Sequence, residues 1–391
     1  MQEREAWLAL NMVPHVGPAA FAVLLERFGS VRRILKAPLK ALESVHGIGP
    51  VTARAICSFP AEETVARERK RMAARGLRFI TLRDAEYPAL LREIAQPPPV
   101  LYIRGTWEDR DRRAVAIVGS RNATPYGRGV SDRLAFDLAM RGLTIVSGLA
   151  RGIDAAAHRG ALRAGGRTIA VLGSGADITY PAEHETLAKA IAAQGALLSE
   201  FPLGTAPLKG NFPQRNRLIS GLSLGVIVVQ ASVESGALIT ANHALEQGRE
   251  VFAVPGMVKG RLSQGSHRLI KTGAKLTEGW EDVVEELRIP TDMPPEAVAP
   301  MPPLPPLEGE EGRVLELLGE EPVHIDAVIA GAKLPAPAVA ASLLSLEMKG
   351  WVKQLTGKTF VRDSWSGQQT SASSVEPSAG SGQQEGKRRS K

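Results

Sequence analysis

Between residues 114 and 290, short apolar runs alternate with helical stretches, and this alternation limits the possible folds more than any other feature of the chain. The runs at 114–118, 144–147, 168–172, 196–199, 225–230 and 250–254 read as strands; 131–141, 155–164, 184–193, 214–222 and 238–247 read as helices between them. Parallel strands need a long crossover, which a helix supplies, so the pattern predicts βαβ units in a doubly wound sheet covered on both faces. Such sheets bind ligands at the carboxyl ends of their strands.

Different modules flank this α/β region. Residues 1–75 hold two similar turns, Val13-Pro14-His15-Val16-Gly17-Pro18 and Val45-His46-Gly47-Ile48-Gly49-Pro50, the second opening directly into an apolar helix. This resembles a helix-hairpin-helix (SAM-like) domain, whose helix N-termini offer backbone N–H groups to phosphate. A small helical domain that simply turns on glycine fits the same residues. The predicted Rossmann-like domain spans 76–289, and 290–307 is a Pro-rich linker whose proline density forbids helix. Residues 308–365 read as three helices (312–318, 325–330 and 337–349) and a hairpin around Thr356-Gly357-Lys358, a winged-helix-like domain. Its third helix carries only Ala, Val, Leu, Ser and Pro over 337–346 and so suits a protein contact better than a DNA groove. The Ser, Gly and Gln-rich stretch 366–391 reads as a disordered tail.

Composition narrows the function class. Hydrophobic residues make up 44% of the chain, enough for real cores. The single cysteine, Cys57, leaves no internal disulfide and no cysteine-built metal site, as expected of a reducing compartment. No apolar run nears the roughly 18 to 20 residues of a membrane span, and Glu3, Arg4 and Glu5 break up the first ten residues. A cytoplasmic protein without membrane insertion is therefore expected. Net charge is +7, with the cationic excess lying before residue 290 and a net acidic stretch over 291–365. Any polyanion should meet the first 290 residues, because neutralising phosphate needs Lys and Arg.

The predicted strand ends carry small residues: Gly119-Ser120-Arg121, Gly148-Leu149-Ala150-Arg151-Gly152-Ile153-Asp154 and Gly173-Ser174-Gly175. Each can turn backbone N–H groups toward an anion, and Arg121 and Arg151 add forked donors. None is a dinucleotide fingerprint or a P-loop, so neither NAD nor ATP is expected, nor any other cofactor or metal. Gly221-Leu222-Ser223-Leu224-Gly225 matches a nucleophile elbow in letters only, since the serine ends a helix and leads into a strand. Asp154 and His158 share a helix face, a spacing that favours a stabilising contact over an acid–base couple. No catalytic set emerges. The richest stretch runs from Ser199 through Lys209 and Phe212 to Arg215-Asn216-Arg217, where rings and cations alternate as single strands prefer. On residue type alone, Phe201 and Phe212 also suit a core.

Several blocks recur together: Leu101-Tyr102-Ile103-Arg104-Gly105, Gly119-Ser120-Arg121, Ser147-Gly148 through Asp154 with His158, Phe212-Pro213-Gln214-Arg215-Asn216-Arg217, Glu234-Ser235-Gly236-Ala237 and Gly273-Ala274-Lys275-Leu276. Over about 80–285 the chain resembles the DprA (DNA processing protein A; Smf) family. The resemblance implies an extended Rossmann-like domain that binds single-stranded DNA, and double-stranded DNA more weakly. It also implies a homodimer that protects incoming DNA in natural transformation and loads the RecA recombinase. The resemblance places Arg121 at a phosphate pocket, Lys209 at a second basic site and Phe212 as a stacking ring; with the loop and helix residues read above, the expected DNA site comprises Gly119, Ser120, Arg121, Arg151, Lys209, Phe212, Arg215, Asn216 and Arg217. His267 and Leu276 lie in the segment that the resemblance implies for dimerisation, and Leu269 between them is expected to add to an apolar patch there. The alternative is a nucleotide phosphoribohydrolase on the same Rossmann variant, but that family resembles itself through a Pro-Gly-Gly-x-Gly-Thr loop, and Pro255-Gly256-Met257-Val258 stands in its place.

Overall fold

The computed structural model of the chain describes residues 1–289, 309–319, 322–348 and 351–362. The expected linker at 290–307 and tail at 366–391 lie outside the described residues. The chain forms two compact units, Met1–Pro300 and Met301–Lys391.

The first unit opens with helices α1 (Glu3–Asn11), α2 (Pro18–Phe28), α3 (Val31–Ile34), α4 (Leu39–Glu43), α5 (Pro50–Ser58) and α6 (Ala61–Ala73). The two glycine turns lead straight into α2 and α5, each with Gly at the N-cap and Pro just inside the helix. Proline suits that position because its missing N–H has no helical partner there and its φ is already helical. Two helix-hairpin-helix turns result.

A nine-stranded sheet follows. Strands β1 (Leu77–Thr81) and β2 (Val100–Gly105), with α7 (Ala89–Arg92) between them, precede β3 (Ala114–Val118), α8 (Pro125–Met140), β4 (Thr144–Ser147), α9 (Ile153–Arg163), β5 (Thr168–Val171), α10 (Glu185–Gln194) and β6 (Ala196–Ser199). Next come α11 (Asn211–Gly221), β7 (Gly225–Val228), α12 (Gly236–Glu246), β8 (Glu250–Ala253), α13 (Gln264–Lys271), β9 (Lys275–Leu276) and α14 (Trp280–Glu286). The strand order is β1-β2-β6-β5-β4-β3-β7-β8-β9. Pairing is parallel from β6 to β9, and β2 joins β6 antiparallel, so two antiparallel strands extend a doubly wound sheet. Strand order reverses at β3.

The apolar alternation explains why both faces are covered. All of β3 is buried; Ala114, Ala116 and Val118 join one core, while Val115 and Ile117 join another on the opposite face. Strand β7 divides likewise, Val226 and Val228 to the first core and Ile227 to the second. The helical module packs Trp7, Phe21 and Leu24 together with Val100, Tyr102, Ala176 and Leu203 of the sheet and its loops. The same junction carries Arg71, which reaches Asp177 at 3.1 Å and the Leu203 carbonyl at 2.9 Å.

Helix α8 begins at Pro125, not near 131: the Thr124 hydroxyl caps it, accepting from the Gly127 N–H at 3.2 Å. Gly127 and Gly129 in its first turns conceal the helical period, since glycine is a poor helix former. In the second unit, α15 (Glu310–Glu316), β10 (Val323–His324), α16 (Ile325–Ala332), α17 (Ala336–Met348), β11 (Val352–Leu355) and β12 (Thr359–Arg362) make a winged helix with antiparallel strand order β10-β12-β11. Val314, Val328, Val339, Leu343 and Phe360 form its core, and α17 carries no Lys or Arg. Among the described residues, no single helix is long and apolar enough to cross a membrane.

Candidate nucleic-acid interface

The loops after β3, β4 and β5 meet at the carboxyl edge of the sheet, beside the reversal of strand order. Gly152 allows that meeting. Its φ is 75°, and a Cβ there would lie 2.2 Å from the Ser120 carbonyl oxygen and 2.7 Å from that of Arg121. The Ile153 N–H donates to the Ser120 carbonyl at 3.2 Å, and the Ser120 N–H donates to Gln230 at 2.7 Å, fixing the β3 loop against the end of β7. Buried Asp154 accepts from the N–H groups of Gly148 (3.2 Å) and Ala150 (3.3 Å), holding the β4 loop in shape. Burial raises its carboxyl above the usual range, opposed by the nearby Arg215 cation and those N–H groups.

Between these loops lies a pocket walled by Arg121, Gly148, Ala150, Arg151, Tyr180, Pro181 and Phe212. Half-buried Phe212, in the first turn of α11, lies on Gly173, where a Cβ would come 2.9 Å from the ring. The Arg121 guanidinium sits 5.1 Å from the Phe212 ring centroid, and the Tyr180 ring sits 5.7 Å from it, tilted by 42°. Tyr180 is 43% exposed, and Arg121 is exposed with no ion pair among the described residues. A cation beside two open aromatic rings can hold a phosphate and stack a base at the same place. Arg151 is exposed at the rim and pairs with Glu183 at 2.5 Å. Lys209 is exposed in the turn before α11, outside the pocket wall.

Three residues expected at the DNA face elsewhere. Arg215 is 4% exposed, donating to the Val171 carbonyl and to that of Gly148 at 2.9 Å; burial lowers its pKa to about 10, so it stays charged at neutral pH. It is a buried pillar joining α11 to β4 and β5, with no route to a strand outside. Arg217 is turned inward onto Glu200, in a pair that anchors α11 beneath the β6 loop. The Asn216 amide donates to the Gly236 carbonyl at 3.2 Å, linking α11 to α12. Arg215 and Asn216 follow Phe212 by three and four residues and so share its side of α11, but both are engaged by carbonyls of the scaffold, Arg215 beneath the pocket wall at Gly148. Gly119 and Ser120 are partly exposed at the β3 end and contribute backbone, the Ser120 hydroxyl accepting from the Asn122 N–H at 3.1 Å.

Asp154 and His158 do not pair. His158 is fully buried with Nδ1 2.7 Å from the Thr168 hydroxyl, and Asp154 turns to the β4 loop. Ser223 is buried after α11 and donates to the Ile219 carbonyl at 2.9 Å, unlike an exposed nucleophile. Of the residues expected at a dimer contact, Leu269 is 7% exposed and belongs to the sheet core, so it cannot supply a surface patch. His267 lies 3.1 Å from the Gly256 carbonyl, and Leu276, on edge strand β9, is 43% exposed. Sequence reasoning missed Tyr180 and Glu183. The available signal was their place in the loop after Gly173-Ser174-Gly175, since loops from neighbouring strand ends share one crevice.

Known proteins align with this architecture. Residues 78–288 match the DNA recombination-mediator protein A model, 298–358 the DprA winged helix domain and 6–67 the helix-hairpin-helix motif. The protein Smf of Synechocystis is 36% identical over 92% of this chain and 99% of its own length. The DNA processing protein DprA of Bacillus subtilis is 47% identical over 54% of this chain and 72% of its own. The crystal structure of Streptococcus pneumoniae DNA processing protein A superposes with a TM-score of 0.66 at 34% identity, covering 73% of this chain and 99% of that one.

Proposed function

The chain belongs to the DprA family of DNA recombination-mediator proteins, and from that premise we propose that it binds single-stranded DNA at the pocket beside β3 without catalysing a reaction on it. The observation that carries this reading is the Arg121 guanidinium over the Phe212 ring with Tyr180 alongside. A free strand can bring a splayed base to the rings while its phosphate meets the guanidinium; a duplex keeps its bases stacked and gains only the phosphate contact. Gly119, Ser120 and the rim cations Arg151 and Lys209 extend the site along the backbone. A binding role also suits the nearby acid and imidazole, because Asp154 and His158 are both engaged in holding the scaffold.

In this reading the protein is a cytoplasmic homodimer that protects incoming strands in natural transformation and recombination and loads the RecA recombinase onto them. Two copies would place two pockets on one strand and raise avidity through effective concentration. The test is a fluorescence-anisotropy competition between matched single- and double-stranded oligonucleotides, run beside a nucleotide-hydrolysis assay. Preference for the single strand without hydrolysis is expected. Equal affinity for the duplex, or turnover of nucleotides, would overturn the reading.

A further inference from the structure

We propose that Glu183 limits the affinity of this site: its carboxylate occupies Arg151 until a backbone phosphate displaces it. The inference rests on the pocket being the DNA site. Of the two arginines lining the pocket, Arg121 has no ion pair among the described residues, whereas Arg151 is held 2.5 Å from Glu183. Both partners are more than half exposed, at 59% and 51% of the side chain. A pair this open adds little to the fold, because solvent screens it and two long side chains lose freedom to form it. Its electrostatic effect is local: the hydrogen bond between the two raises the arginine and lowers the carboxyl, so the acid stays ionised against any approaching anion.

Glu183 is positioned for this task. It lies in the helical turn Ala182–His184, whose His184 Nδ1 sits 2.9 Å from the Leu149 carbonyl of the β4 loop, the loop that also presents Arg151. The carboxylate and its target are thus carried by two loops that are hydrogen-bonded to each other. When a strand arrives, a phosphate forms the stronger, forked contact with Arg151, and Glu183 turns to water. The released carboxylate then attracts a cation from solution, cancelling part of the counterion release that drives binding. Arg151 therefore joins only when neighbouring phosphates of the same strand are already held, which makes the contact one that is readily given up again.

The test measures affinity of the full chain for an oligothymidylate across a salt series, for wild type, Glu183→Gln, Arg151→Ala, the double variant and Arg121→Ala. Glu183→Gln should bind roughly two- to fivefold tighter, the range an exposed ion pair commands. Its log affinity against log salt should steepen by up to about 0.7, one single-strand contact. In the Arg151→Ala background the same change should add nothing. An unchanged or weaker Glu183→Gln, or a gain that survives without Arg151, overturns the inference while Arg121→Ala still weakens binding. If Arg121→Ala binds like wild type, the pocket reading itself fails, and this inference fails with it.

Discussion

His158 shows how a single residue can look like chemistry in sequence and be part of the scaffold. The Thr168 hydroxyl spends its hydrogen on the Ile145 carbonyl at 2.7 Å, so it accepts from His158, whose Nδ1 must carry the proton. Burial, with His184, Arg215 and Arg159 nearby, lowers the imidazole pKa to about 3 from 6.5. The folded ring is neutral where the unfolded ring is charged, so the unfolded state binds the extra proton between those values. Stability contributed by this site is complete above pH 6.5 and is lost as the pH falls toward 3. His158→Gln, unfolded by urea at several pH values, should show a shallower fall across that window, by at most about 1.4 kcal/mol per pH unit. An identical slope would mean that the imidazole titrates normally. Arg215 makes the complementary point: its residue type signalled phosphate, and only its burial against two carbonyls reveals the pillar.

At the scale of elements, the strands that carry the site were legible because their apolar runs are buried on both faces, as in β3 and β7. Three kinds of element were not. Strands β1 and β2 pair antiparallel outside the alternating region, β9 is two residues long, and α8 hides its start behind glycines. The pocket is legible in its two arginines and Phe212 but not in Tyr180, because proximity across separate loops leaves no trace in local spacing. Edge strand β9 also bears on the homodimer proposed above. Leu276 is 43% exposed there, and Met257 and Val258, in the loop after β8, are 70% and 86% exposed. If the proposed homodimer joins through this edge, as expected for Leu276, Leu276→Glu places a charge in the contact and should yield a monomer in light scattering that binds long strands more weakly than wild type. A variant that remains dimeric would move the contact off this edge.

At the scale of the whole molecule, the first unit carries the sheet, the pocket and the paired glycine turns, while the third helix of the winged helix in the second carries no Lys or Arg. Strand binding is therefore proposed for the sheet domain. The salt dependence of single-strand affinity for Arg121→Ala and Phe212→Ala, in protein whose unfolding midpoint matches wild type, tests this most directly. Arg121→Ala should weaken binding to all sequences alike and flatten the slope by about 0.7. Phe212→Ala should cost about 1 to 3 kcal/mol of affinity through lost stacking and leave the slope nearly unchanged. If Arg121→Ala retains full affinity and the wild-type slope, the pocket beside β3 is not where this protein holds DNA.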